Sequence, residues 1–254
     1  MTPTIFAVRT KGPLALFCSP WLRAEPHSEP IMTPSAAAGL LRSLYRKPEF
    51  EWVVRAIHVL APIRFETIRR KAITTDYNTS SYGQVSSRKT AAMRQPDQTL
   101  QTQTCLRDVD YVIEAEISLN PTETRSQHEV ERIVFHYLSS GSVFGTPCGG
   151  RAEFPLDTEF LGSSSATRGR HPEAIYEDLE LGPVLLGMSP VDISKDLWDP
   201  VYVRLRMEQG VVCVPRGVYD PLLRTLAEAA LVRRRGLNRN QNHESAAGAP
   251  GGSK

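Results

Sequence analysis

The strongest structural signal in the chain runs from Leu106 to Leu119 and reads LRDVDYVIEAEISL. Apolar side chains occupy every second position of its central part, and this period of two predicts a β-strand with one face in the core. The positions between them carry carboxylates: Asp108, Asp110, Glu114 and Glu116. A two-metal site is one use of such a row, but we favour the simpler interpretation that these carboxylates face solvent.

A helix is predicted before this strand and another after it. Thr33 is placed to cap the first helix, and Pro34 fits its first turn. The second helix spans about 126–138, where Ser126 and Glu129 match a capping box. Helical spacing predicts that its buried stripe consists of Val130, Ile133, Val134, Tyr137 and Leu138.

The predicted elements follow the order β-α-β-β-α, with one more strand at or after Val143. The other strands are predicted over Thr4–Lys11, Trp52–Leu60 and Ile63–Lys71, the last two joined by a tight connection at Ala61-Pro62. This order is typical of a ferredoxin-like (RRM-like) α+β domain, an arrangement that many RNA-binding proteins share. We assign that domain to residues 1–162.

The remainder of the chain predicts a second, smaller unit. Residues 163–172 are polar and read as a linker, and residues 173–235 predict a C-terminal β-rich subdomain that ends in a helix from Asp220. Within it, Glu208-Gln209-Gly210 is the expected turn of a hairpin. Residues 236–254 are rich in Asn, Gly and Ser and are expected to be a disordered tail.

Composition excludes several classes of protein. No run of about 18 apolar residues exists, so no membrane partner is expected. The four cysteines, at positions 18, 105, 148 and 213, form no CxxC pair, which leaves a zinc site without support. Reduced thiols in a chain of this size predict a cytoplasmic protein. We expect no metal and no small-molecule cofactor.

Charge is unevenly distributed although the net charge is only +2. Residues 42–94 contain eleven lysines and arginines against four acidic residues, whereas residues 153–208 contain five against eleven. Such polarity favours one surface that faces an anion. The alternative is that both segments are ordinary solvated faces.

The basic residues of the first half form the predicted RNA-binding set. Arg64, Arg69, Arg70 and Lys71 lie along one predicted strand and its end. A polar loop follows over 74–104, and it holds the remaining members of the set, Arg88, Lys89 and Arg94, with Tyr77 and Tyr82 between the strand and these cations. Guanidinium and ammonium groups pair with phosphates and tyrosines stack on unpaired bases, so this loop is expected to order on nucleic acid.

Several segments, in order, resemble the subtype I-C member of CRISPR-associated family five, in the RAMP superfamily. The resemblance covers residues 3–215 and rests on an ordered set of short motifs rather than on one. They are Thr33-Pro34-Ser35-Ala36, Tyr45-Arg46-Lys47-Pro48-Glu49-Phe50, Ile63-Arg64-Phe65, Leu106-Arg107-Asp108-Val109, Glu153-Phe154-Pro155 and Glu208-Gln209-Gly210-Val211.

This resemblance implies a subunit that holds the 5′ handle of a CRISPR guide RNA (crRNA) in the Cascade assembly, with CRISPR repeat RNA and the backbone and large subunits as partners. It also implies an endoribonuclease that cuts the repeat transcript without a metal, through attack of a 2′-hydroxyl group on the neighbouring phosphate. The family's catalytic residues are a Tyr, a Lys and a His. They correspond here to Tyr45, Gln127 and His128.

Gln127 departs from that pattern, because a glutamine carries no charge to neutralise the phosphate in the transition state. Arg125, Lys47 or the basic loop are candidate substitutes, and Lys47 is also assigned to the RNA-binding set. His128 lies in the first turn of its helix, where the positive end of the helix dipole favours a neutral imidazole that can accept a proton. The plainer interpretations are a core aromatic for Tyr45 and an exposed helix residue for His128.

Three hypotheses remain open at this stage. The first is a metal-independent endoribonuclease that stays bound to its product. The second is a non-catalytic crRNA-binding subunit of Cascade, and the third is an unrelated small-molecule enzyme with a ferredoxin-like core. The third predicts no salt-dependent affinity for RNA.

Overall fold

The computed structural model describes residues 3–19, 22, 25–73, 98–167, 169–192 and 195–232. Its strands are β1 (Ile5–Ala15), β2 (Phe50–Val59), β3 (Phe65–Ile73), β4 (Gln98–Leu119), β5 (Asp157–Ser164), β6 (Leu179–Asp192), β7 (Leu197–Met207) and β8 (Val211–Cys213). Its helices are α1 (Pro34–Leu44), α2 (Gln127–Ser139) and α3 (220–232), with a 3₁₀ turn at Arg216–Tyr219.

The main sheet confirms the predicted fold class. Its strands lie in the order β5-β1-β4-β2-β8, and each of these pairs is antiparallel. Without β3 and β8, the remaining strands in chain order are β1, β2, β4 and β5. Numbered from 1 to 4, these strands lie in the sheet in the order 4-1-3-2, with α1 after the first and α2 after the third. That is the ferredoxin-like arrangement.

The two helix starts form as their capping residues predict. The Thr33 hydroxyl oxygen accepts from the Ala36 amide at 3.2 Å, and Ser126 and Glu129 complete a capping box. The predicted stripe of α2 needs one correction. Ile133 is 40% exposed whereas Glu131 is only 7% exposed, because Glu131 has polar partners in the interior.

β4 is the longest strand, and it extends eight residues before the strand that was predicted from Leu106. Residues 98–104, expected as part of a loop, are therefore β-structure that pairs with β3. β2 and β3 are not turned back on each other at Ala61-Pro62. They follow one another along β4, with β2 opposite 111–119 and β3 opposite 98–106.

The part of β4 that carries Glu114 and Glu116 is buried on both faces, which corrects the expectation that these two carboxylates face solvent, whereas Asp108 is exposed as expected. Glu114 is 0% exposed and Glu116 is 2% exposed. Glu116 accepts from Arg55 at 2.8 Å and pairs with Arg216 at 2.5 Å. The C-terminal part of the chain thus covers a face of the sheet that alternation alone leaves open.

The C-terminal segment contributes to the main sheet as well as to a separate hairpin of β6 and β7. The turn at Gln209-Gly210 forms as predicted, with φ of 48° and 75°. The strands on either side then diverge, since β7 pairs with β6 whereas β8 pairs with β2. Val212 and Leu222 join the same hydrophobic core as Phe6 and Trp52, while the predicted boundary at 163–172 stays a prediction.

None of the helices in the described part of the chain is long and apolar enough to cross a lipid bilayer. The predicted tail at 236–254 and most of the predicted polar loop, from 74 to 97, lie outside the described residues.

Candidate functional site

Tyr45 lies directly after α1, and its side chain is 7% exposed. Its ring stacks on Phe50 with centroids 6.0 Å apart and contacts the Tyr137 ring at 4.5 Å. The Trp52 indole donates to the backbone oxygen of Tyr45 at 3.1 Å. Helix α1, strand β2 and helix α2 therefore hold this aromatic ring in one orientation.

The hydroxyl group of Tyr45 stays protonated near neutral pH. Burial raises the pKa of Tyr45 above its ordinary value, the Glu49 carboxylate raises it further, and Arg125 opposes both. A neutral phenol donates a hydrogen bond. Tyr45 is thus suited to donate to an oxygen atom that gains negative charge.

Arg125 is the cation that the structure brings into the surroundings of Tyr45. Its guanidinium group pairs with Glu49 at 3.0 Å and with Glu123 at 3.0 Å. The hydrogen bond from Arg125 lowers the pKa of Glu123 to about 2, and the same bond raises the pKa of Arg125. These two ion pairs hold the segment before α2 in place.

Gln127 is half-buried and forms hydrogen bonds within the protein. Its amide nitrogen donates to the backbone oxygen of Ile117 at 3.1 Å and to Glu131 at 2.8 Å. Glu131 also accepts from the Thr4 hydroxyl at 2.6 Å. Gln127, which occupies the position of the family's lysine, therefore links α2 to β4 through its hydrogen bond to Ile117.

His128 is exposed in the first turn of α2. Tyr137, which contacts Tyr45, lies nine residues further along the same helix, a rise of roughly 14 Å between Cα atoms. No hydrogen bond or ring contact joins Tyr45 to His128 within the described ranges. Arg125 lies close enough to Tyr45 to lower its pKa, while Gln127 and His128 are the first two residues of α2.

The predicted RNA-binding residues divide into three groups. Lys47 is exposed in the loop beside Tyr45, and Arg64, Arg69 and Lys71 are exposed on and before β3. Arg70 lies on the opposite face of β3, where its guanidinium group pairs with Glu153 and donates to Gln101 at 3.5 Å. Arg88, Lys89 and Arg94, with Tyr77 and Tyr82, lie outside the described residues.

One buried pair was not predicted from the sequence. His58 of β2 and Glu114 of β4 are each 1% exposed at the side chain, and Nε2 of His58 lies 3.8 Å from Oε1 of Glu114. The alternation of polar and apolar residues indicates that Glu114 shares a face of β4 with Asp110. It does not indicate that other segments of the chain cover this face. Within the described ranges, no group of three or more His, Cys, Asp or Glu side chains is arranged to hold a metal ion.

Comparison with known proteins identifies the family of this chain. The sequence pattern of the Cas5d family, described as CRISPR-associated protein (Cas_Cas5), matches residues 5–215. The chain is 33% identical over 211 residues to the CRISPR pre-crRNA endoribonuclease Cas5d of Mannheimia succiniciproducens, which covers 80% of this chain and 92% of that protein. It is 29% identical over 232 residues to the CRISPR pre-crRNA endoribonuclease Cas5d of Thermus thermophilus, which covers 85% and 94%.

A solved crystal structure of a CRISPR-associated protein has the same fold. It superposes with a TM-score of 0.57 at 17% identity and covers 85% of this chain and 94% of that one. The family match spans both the Tyr45 motif and the start of α2. The chain belongs to the Cas5d family of CRISPR-associated proteins.

Proposed function

We propose that this chain is an endoribonuclease that cuts CRISPR repeat transcripts and then stays on the 5′ handle of the guide as a subunit of a type I-C Cascade. The observation that carries the proposal is the match to two relatives named CRISPR pre-crRNA endoribonuclease over 92% and 94% of their lengths. The unrelated-enzyme hypothesis is set aside, since the chain belongs to this family.

The proposed reaction uses only side chains of the protein and the RNA. His128 accepts the proton of a 2′-hydroxyl group, and the 2′-oxygen attacks the adjacent phosphorus. The bond from phosphorus to the 5′-oxygen breaks, and that oxygen takes up a proton. The products are a 2′,3′-cyclic phosphate and a 5′-hydroxyl end, so no water is consumed in this step.

Tyr45 and Arg125 are proposed to stabilise the charge that develops. The neutral phenol of Tyr45 donates to a phosphate oxygen or to the leaving 5′-oxygen. Arg125 supplies the positive charge that Gln127 lacks, and its side chain is 40% exposed, which leaves it open to an RNA phosphate. Binding of the strand is assigned to Lys47, Arg64, Arg69 and Lys71, with Arg70, Arg88, Lys89 and Arg94 as further members.

A second candidate function is a crRNA-binding subunit that does not cut. One observation favours it, namely that Gln127 is engaged with Glu131 and Ile117 rather than directed at a phosphate. Both candidates share the guide RNA and the other Cascade subunits as partners. We further propose a cytoplasmic location, which is supported by four cysteines that are free thiols.

The test is incubation of the purified chain with its cognate repeat RNA in EDTA. We expect one cut that leaves a cyclic phosphate, and a decrease of about 100-fold or more in rate for His128→Ala, as removal of a general base predicts. His136→Ala is the matched control because His136 is an exposed residue of the same helix. Tight binding without cleavage would favour the second candidate, and absence of both would refute the proposal.

A further pair of variants tests the missing charge. Gln127→Lys alone places an ammonium group beside the buried Glu131, which would hold it as an ion pair. Gln127→Lys combined with Glu131→Gln leaves the ammonium group free for the phosphate. If charge limits the rate, the double variant cuts faster than both wild type and the single variant; equal rates would remove charge as the explanation.

A further inference from the structure

The loop that follows helix α2 ends against the C-terminus of helix α1. The backbone amide of Phe144 donates to the backbone oxygens of Ser43 and Leu44, each at 3.0 Å, and the amide of Gly145 donates to that of Ser43 at 2.8 Å. These bonds satisfy carbonyl groups that the last turn of a helix leaves unpaired. Because the Leu44 oxygen belongs to the peptide group that leads into Tyr45, the loop is fixed directly beside the Tyr45 site.

The Phe144 side chain extends from this fixed backbone and is 66% exposed, and the Val143 side chain before it is 50% exposed. Phe50 and Tyr137 pack their rings on Tyr45. Phe144, by contrast, makes no ring contact with any residue that the structure describes. A single exposed apolar residue is common on protein surfaces, but two in succession on a fixed loop form a small apolar surface that a ligand can contact.

Two cations follow Tyr45 in the sequence. Arg46 and Lys47 are exposed, and neither forms an ion pair with a carboxylate of the described residues. Two residues of chain span at most about 7 Å, so the Cα atoms of both cations lie within that distance of the Tyr45 Cα atom. The backbone of this segment is anchored, since the Asn120 amide donates to the Glu49 oxygen at 2.8 Å. Cationic and apolar groups therefore border the same buried phenol.

A nucleotide of a single strand presents surfaces that match both groups. Its phosphate is an anion, and its base has flat faces that stack on aromatic rings. Gly145, next to Phe144, has no atom within 4 Å of the position that a Cβ would take, which leaves space on this side of the loop for a base. Proteins that bind single strands combine cations with aromatic side chains in the same way.

We propose that the Phe144 ring stacks on the base of a nucleotide that flanks the scissile phosphate and thereby holds that phosphate beside Tyr45. A base held by the ring and a phosphate held by the cations restrict the rotation of the nucleotide, which favours in-line attack by the 2′-oxygen. Since stacking tolerates any base, Phe144 contributes to where the strand is cut and not to which base is read. The inference rests on the proposed function for the identity of the polymer.

The first experiment detects the stacked base. 2-Aminopurine, a fluorescent base that stacking quenches, replaces one base at a time along the repeat RNA, and a 2′-deoxy sugar at the cut keeps the strand intact. At one of the two nucleotides that flank the cut, we expect lower fluorescence in the complex with the wild-type chain than in the complex with Phe144→Ala. Equal fluorescence at both of these nucleotides would overturn the proposal.

The second experiment tests whether the ring and the base touch each other. An abasic nucleotide at the identified position and Phe144→Ala should each reduce affinity for repeat RNA by about 5- to 150-fold, the range for one stacked base. The two changes together should cost no more than either alone, because both remove the same contact. Losses that multiply would show that the ring and the base act separately, and the proposal would be wrong.

Variants of the ring separate stacking from apolar contact. Phe144→Tyr keeps a flat ring and should bind as wild type does, whereas Phe144→Leu keeps an apolar side chain without a ring and should resemble Phe144→Ala. Phe135→Ala is the matched control, because Phe135 is a 44% exposed aromatic residue of α2 that packs on Phe160 with ring centroids 5.5 Å apart. Wild-type affinity in Phe144→Leu, or an equal loss in Phe135→Ala, would refute stacking at Phe144.

The outcomes distinguish this inference from the proposed function. If repeat RNA is bound and cut but Phe144→Ala is coupled to no base, the inference fails while the proposed function stands. If RNA is bound without being cut and the coupling to one base persists, stacking stands while the endoribonuclease fails. If Phe144→Ala leaves RNA affinity unchanged and instead releases the chain from the other Cascade subunits, the loop is a protein contact and the inference is wrong.

Discussion

At the scale of single residues, Gln127 has a role that its position in the family motif does not indicate. The motif predicts a side chain directed at the scissile phosphate. The structure gives Gln127 two hydrogen bonds within the protein, one of them to a buried carboxylate. A neutral amide at this position satisfies Glu131 without the desolvation cost of a second buried charge.

Gln127→Ala is therefore expected to act on stability. The change removes a donor from Glu131, which is 7% exposed, and the free energy of unfolding in urea should fall by about 1–3 kcal/mol. His128→Ala, the next residue and an exposed one, should change it by less than about 0.5 kcal/mol. Equal stabilities for the two variants would contradict the structural role of Gln127.

At the scale of elements, β3 and the first half of β4 form a two-stranded ribbon that presents different charges on its two faces. Arg69 and Lys71 share one face with Phe65, which is 46% exposed. Arg70 points the other way and pairs with Glu153. The alternation of side chains along β3 places Arg70 on the face opposite to Arg69 and Lys71. The neighbouring segment around Glu153 then determines which of the two faces stays positively charged.

The double variant Arg69→Ala/Lys71→Ala should weaken RNA binding and flatten its salt dependence. Each lost phosphate contact reduces the slope of log K against log salt by roughly 0.7 for a single strand, so two contacts give roughly 1.4. The measurement is fluorescence anisotropy with labelled repeat RNA over a salt series.

Arg70→Ala is the control on the opposite face. Because Glu153 already neutralises this guanidinium group, its variant should change the slope by less. If Arg70→Ala flattens the slope as much as the double variant does, the assignment of faces is wrong for RNA binding.

At the scale of the whole molecule, the C-terminal segment is bound to the sheet through Glu116. This carboxylate is 2% exposed and pairs with Arg55 from β2 and with Arg216 from the 3₁₀ turn. β8 adds a strand beside β2, and Gly210 packs so closely on Ile175 that a Cβ there would lie 2.3 Å from its backbone oxygen. The Glu116–Arg216 pair joins residues 100 positions apart, and the pairing of β2 with β8 joins residues more than 150 positions apart.

Glu116→Ala should therefore destabilise the chain strongly. Removal of one partner leaves the partly buried Arg55 without its carboxylate, which typically costs about 3–5 kcal/mol. Glu66→Ala breaks the exposed pair between Glu66 and Arg107 and should cost less than about 1 kcal/mol. Urea unfolding of both variants checks the difference, and a small loss in Glu116→Ala would mean that the C-terminal segment is held mainly by apolar contacts.

Local sequence signals were sufficient to predict the individual helices and strands and the fold class. The caps at Thr33 and Ser126 form as predicted because a cap depends on residues within one helical turn. The alternation of β4 and the order of strands and helices predicted the ferredoxin-like arrangement for the same reason. The motif around Tyr45, taken with the others, indicated the family.

The sequence alone did not indicate which segments cover which faces. His58 and Glu114 are 56 positions apart, and neither residue's neighbours in the sequence reveal that segment 169–172 closes over them. Likewise, the hydrogen bond from Gln127 to Ile117 depends on how α2 packs on β4, although the bond to Glu131 lies within one helical turn. Periodicity is a local property of the chain, whereas burial and charge pairing arise between distant segments. Only the tertiary structure therefore shows that Arg125 pairs with Glu49 and that His58 and Glu114 are buried together.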